Sequence, residues 1–180
     1  RDLHSFPTRR SSDLRLKKAY SVLSQAAQKA ISDNGPMSTW TNCVHKSGDD
    51  AVQFANKYVI PYLSISKSCE LNNDETCKFQ YYSLDKTKGF STSYYTRFYL
   101  TDGTLIALAP LIAGEIKYIA VFVDINGAKK PNILGKDIFL FHYNLYYPNI
   151  LASDKFIPEG INLSREDIIN NSQEGCSKQI

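Results

Sequence analysis

The chain has no apolar run approaching the ~20 residues that a membrane-spanning helix needs. It has no C-x-x-C pair, no G-x-S-x-G elbow and no Gly-Lys-Ser/Thr, which sets aside the common zinc frameworks, the α/β-hydrolase nucleophile and the phosphate loop. Histidine is scarce at three residues, so imidazole chemistry has few places to reside. Charge is nearly balanced, and a net +3 is too mild to predict a nucleic-acid partner. The N-terminal residues carry no signal-peptide pattern. What is plentiful is aromatic: 12 Tyr and 9 Phe favour sheet surfaces and interfaces. With 43% hydrophobic residues over 180 positions, the chain can build one domain burying roughly 70% of its unfolded surface.

The first fourteen residues, RDLHSFPTRRSSDL, lack helical period and mix charge with serine. They read as a foreign segment, the translated remnant of an adaptor, or else as a disordered N-terminal arm. Residues 15–180 are then the domain, with the segment before Arg15 missing.

Four cysteines remain: Cys43, Cys69, Cys77 and Cys176. Cys69 and Cys77 close a short polar loop, SCELNNDETCKF, between apolar segments. A disulfide there is the expectation, and it places the protein outside the reducing cytoplasm. Cys43 and Cys176 can pair with each other or find partners elsewhere.

Leu16, Tyr20, Leu23, Ala27, Ala30 and Ile31 make one helical stripe from Arg15 to Asp33, ended by Asn34-Gly35-Pro36. It reads as the second half of a longer helix. A second helix is predicted over 49–60, with Val52, Ala55 and Val59 buried and Asp49 and Asp50 at its positive end. Residues 62–69 read as a turn or irregular piece. Strands follow at 79–84, 94–100, 104–109, 117–125, 137–143 and 145–148, with Thr101-Asp102-Gly103 as a hairpin turn. Helices followed by an antiparallel meander mean α+β: a helix across one face of about four strands.

FVDINGAKKPNILGKDIF, residues 122–139, opens like a calcium loop. Counted as an EF-hand from Asp124, Ala128, Lys129 and Gly135 occupy positions that need an oxygen ligand, Gly and Glu, so that reading fails. A calcium site of another kind, from Asp124, Asn126 and Asp137 with backbone carbonyls, is the metal candidate; the lysines inside the loop weigh against it. As structure, Asn126-Gly127 and Pro131-Asn132 make corners between neighbouring strands.

No catalytic set emerges. His45 lies two residues after Cys43, where a disulfide or plain loop is the simpler reading, and His142 sits among alternating aromatics as a sheet residue. Glu166-Asp167 reads as helix-end charge, and Asn162 and Asn170 open glycosylation sequons. The chain is expected not to be an enzyme.

RLKKAYSVLSQAAQKAISDNG, LTDGTLIAL and VDINGAKKPNILGKDIF together resemble bacterial type IV pilin-like proteins, including type II secretion pseudopilins. The resemblance covers residues 15 to about 150. It implies a structural subunit of a pilus or pseudopilus, assembling with other subunits through a hydrophobic helix half that would precede Arg15. It also implies an inner-membrane anchor before assembly and a periplasmic or surface location after it. Some pseudopilins hold calcium between late strands, which points to Asp124 and Asp137. The alternative is a secreted binding module stacking sugars or a protein on the Tyr-rich strands 94–99 or 143–147.

Overall fold

The computed structural model describes residues 9–40, 43–72, 76–78, 80–83, 86, 89–91, 93–113, 116–127, 129–146 and 156–158. His4, Glu166-Asp167, Cys176 and the Asn162 and Asn170 sequons lie outside the described residues.

The 26-residue helix α1 (Arg9–Asn34) starts six residues before Arg15 and runs without a break across that position. Its stripe is buried as expected at Leu16, Leu23, Ala27 and Ala30, and Ala19 and Ala26 widen it. Four small alanines on this face let the helix lie close to its support. Gly35, at φ +78°, ends the helix and donates its N–H to Ile31 O at 2.9 Å. Helix α2 (Gly48–Tyr58) is capped by Ser47, whose hydroxyl accepts from Asp50 N–H, with Asp49 and Asp50 in the first turn. Its buried face is Ala51, Phe54, Ala55 and Tyr58; Val52, expected inside, is only half-buried.

Strands follow as β1 (Ile65–Glu70), β2 (Gln80–Tyr82), β3 (Gly89–Ser91), β4 (Thr96–Leu100), β5 (Leu105–Ala113), β6 (Ile116–Asp124), β7 (Ile138–Tyr146) and β8 (Phe156–Pro158). Six of them form an antiparallel sheet in the order β1-β4-β5-β6-β7-β8, and β2-β3 form a separate ribbon. The fold is α+β, with six strands where about four were expected. Two differences account for the number. Residues 65–70, expected as irregular, pair with β4 as an edge strand whose residues are mostly exposed, so no apolar alternation announces it. The short β8 pairs with β7 over only three residues. Residues 145–146 continue β7 rather than starting another strand.

Register assigns each strand residue a face. Ile106, Val123 and Phe139 line up across β5, β6 and β7, as do Leu108, Val121 and Phe141. That face packs under α1 and α2 in one core with Leu16, Leu23 and Phe54. Each such fully buried side chain contributes about 1.5–3 kcal/mol. On the opposite face, Ala107, Ala109 and Ala120 leave a shallow floor, and Tyr81 and Tyr95 occupy it against Phe122 at 4.8 and 5.2 Å. The central strands are therefore buried on both faces, and Asp124 falls on the ribbon side, opposite Leu105 and Ile138.

Candidate functional site

The connection between β6 and β7 gathers three of the residues singled out in the sequence. Asp124 closes β6 and is fully buried. Its Oδ1 accepts the Asn126 N–H at 3.1 Å, and its carbonyl accepts the Gly127 N–H, with Gly127 at φ +70° turning the chain. Asp137, also buried, accepts at Oδ1 from Ile133 N–H (2.6 Å) and at Oδ2 from Asn132 N–H (2.8 Å) and the Asn126 side-chain amide (3.2 Å). Asn126 thus touches both carboxylates. The loop is pinned to β2 by Tyr82 N–H on Asn132 O and Leu134 N–H on Tyr82 O, and to α1 by Arg15 Nη1 on Ile125 O at 3.3 Å.

Three buried oxygens here receive no hydrogen bond: Asp124 Oδ2, Asn126 Oδ1 and Asn132 Oδ1. A buried acceptor without a donor costs about 1–3 kcal/mol, and more when charged. Burial first, and then the neighbouring Asp137, holds the Asp124 carboxyl well above the usual carboxylate range, partly offset by the Asn126 N–H. A set of hard oxygens that lacks donors has the chemistry of a calcium-class ligand set. Among the described residues no three His, Cys, Asp or Glu side chains form a metal cluster, so such a site would draw on the carboxamides. Asn132 was not among the sequence candidates; only its position beside Asp137, set by the φ +54° corner, brings it in. Lys129 and Lys130, the two loop lysines that weigh against a cation, are exposed, as is Lys136. Lys130 and Lys136 line a cavity of about 130 Å³ with Arg15 and Asp137.

The other sequence candidates go elsewhere. Cys69 and Cys77 form the expected disulfide, with Cα atoms 5.8 Å apart. This bond belongs to an oxidising, extracytoplasmic setting. No helix among the described residues is long and apolar enough to cross a membrane. Cys43 is buried, and burial with Asp50 nearby pushes its thiol up to about 11, the opposite of an activated nucleophile. His45 Nδ1 accepts the Ile112 N–H at 2.9 Å, so it is placed by the backbone of β5 rather than beside a reacting group. His142 packs against Tyr118 with the rings tilted and their centroids 4.7 Å apart, and burial pushes it down to about 4. Of the Tyr-rich segments, Tyr95 and Tyr143 are buried while Tyr94 and Tyr99 are half-buried; Tyr147 lies outside the described residues.

Residues 3–179 match a family of unknown function, DUF6613. The chain belongs to that family. The matched span takes in every described element of the fold and also residues 3–14. No curated protein and no solved structure matches the chain. Among the described residues of this DUF6613 chain, the β6–β7 connection brings together two buried carboxyl groups, unmet acceptors and neighbouring cations.

Proposed function

We propose that the chain is a structural subunit of the type IV pilin-like class, the head domain of a pilus or pseudopilus protein that assembles through its first helix. One observation carries this reading: α1 lays its apolar stripe along one face of an antiparallel meander, in one core with β5, β6 and β7. Arg15 meets the carbonyl of Ile125, just beyond the end of β6. A long helix laid under an antiparallel sheet is the arrangement that the pilin-like resemblance implies. The extracytoplasmic disulfide agrees with a surface or periplasmic role. In this reading other copies of the subunit are the partners, and the inner membrane holds the protein before assembly. No catalytic or nucleic-acid role is included. Calcium at Asp124, Asn126 and Asp137, joined by Asn132, would stiffen the β6–β7 connection to which Arg15 of α1 is bonded.

The gene upstream of Arg15 tests this reading. It should encode a basic leader, a processing site and about 20 apolar residues continuous with α1. A cleavable secretory signal with a small-residue site overturns it, as does a full-length product that stays monomeric when the assembly machinery is present.

A further inference from the structure

Beside the carboxylate loop, an open groove of about 700 Å³ runs along the same end of the domain. Its lining includes Arg15 from α1, Lys67 from β1, Tyr99 from β4 and Lys129 from the β6–β7 loop, residues that are far apart in sequence. The lining acid Asp102 is offset by Lys18 at 2.9 Å. Among the described residues neither Lys129, which is exposed, nor Arg15, which gives one N–H to a carbonyl, pairs with a carboxylate, and the Lys67 ammonium donates to the Thr76 hydroxyl in the groove wall. The groove wall is built rather than incidental. The Tyr99 hydroxyl donates to Thr76 O at 2.7 Å, which fixes the ring. Gly103 and Gly127 pack backbone to backbone beside it, and a Cβ on Gly127 would lie 2.9 Å from Gly103 O.

We infer that this groove binds an acidic oligosaccharide, with carboxylates of neighbouring sugars on Arg15, Lys67 and Lys129 and one sugar ring against Tyr99. Separated cations around an aromatic ring suit a polymer whose rings each carry a carboxylate and present an apolar C–H face. An acidic peptide is the less favoured occupant. The adjoining edge strand β1 has register irregularities between Ile65 and Lys67 and between Ser68 and Glu70, which break the regular ladder that strand addition requires. A net charge of +3 supplies little field for nucleic acid. The inference does not depend on pilus assembly.

Titration calorimetry of the full chain at low salt tests it, using tetragalacturonate, its methyl ester, tetraglutamate and a short oligothymidylate. The acidic sugar should bind, weaken as salt rises, and exceed the other three by about tenfold or more. Lys129→Gln, at an exposed position, should weaken binding severalfold with an unchanged melting temperature. Lys67→Gln should also weaken it, while Tyr99→Phe should retain the ring contact and most of the affinity. Absence of heat with tetragalacturonate overturns the inference. So does equal affinity for the ester, tighter binding of tetraglutamate or oligothymidylate, or full affinity in Lys129→Gln and Lys67→Gln together.

Discussion

Asp124 and Asp137 are joined through one residue, Asn126, whose backbone N–H serves the first carboxylate and whose side-chain amide serves the second. The two acids are not equally supplied. Asp137 takes three N–H donors, whereas Asp124 takes one and keeps Oδ2 buried without any. Asp137 therefore organises the loop, and Asp124 is the member with an unmet requirement for positive charge or a proton.

Calcium should meet that requirement. Melting temperature should rise between chelator and millimolar calcium, by the equivalent of about 2.7 kcal/mol at a hundredfold excess over Kd. Asp124→Asn should abolish the increment while leaving the chelated protein at least as stable, because a neutral amide replaces a carboxyl whose charged form burial and Asp137 disfavour. A wild-type melting temperature indifferent to calcium removes the cation from the proposal.

Gly127 and Gly103 make a matched pair for the same corner. Both have positive φ, +70° and +85°. Alanine at Gly103 meets no atom within 4 Å, so its cost should be the backbone penalty alone, about 1–2 kcal/mol. Alanine at Gly127 adds a 2.9 Å approach to Gly103 O and should cost clearly more by chemical denaturation. Equal losses would show that the corner yields freely.

His142 should make the fold acid-sensitive. Its folded value is lowered from 6.5 to about 4 by burial, so the unfolded chain binds the proton more tightly. Stability is then complete above the unfolded value and declines as pH falls from 6.5 toward 4. The total is on the order of 3 kcal/mol for this group. His142→Phe, which keeps a ring beside Tyr118, should flatten that part of the stability–pH curve.

Replacing Cys69 and Cys77 by serine should cost about 2–3 kcal/mol through the freed loop of the unfolded chain. Reduction of the wild type should add two hydrogens to the intact mass for this bridge and lower stability comparably. A mass unchanged by reductant would remove the argument for an oxidising compartment.

Much of the fold was legible before any coordinates. The α1 stripe, the Gly35 stop, the Thr101-Asp102-Gly103 hairpin and strands β5 to β7 all carry local patterns of period or turn chemistry. β1 was not legible, because an exposed edge strand rich in serine and lysine resembles a loop. The candidate site was legible in part. Asp124, Asn126 and Asp137 were visible as a spacing of oxygen ligands, whereas Asn132 presents nothing in sequence beyond a turn preference. The Tyr-rich segments divide between roles that sequence does not separate: Tyr95 fills the hollow over three alanines, Tyr143 lies in the core beneath the helices, and Tyr99 lines the groove.

The sequence by itself determined the types of the helices and of strands β5 to β7, the Cys69–Cys77 pairing and the corners of the β6–β7 connection, since each depends on residues within a few positions of one another. Only the tertiary structure decided that Asp124 lies buried on the ribbon side, that Asn132 sits beside Asp137, and that Arg15, Lys67, Tyr99 and Lys129 line one groove. Those outcomes depend on strand order and on which covering layer each face receives. With both faces of the central strands apolar, alternation alone cannot say which side turns toward the helices.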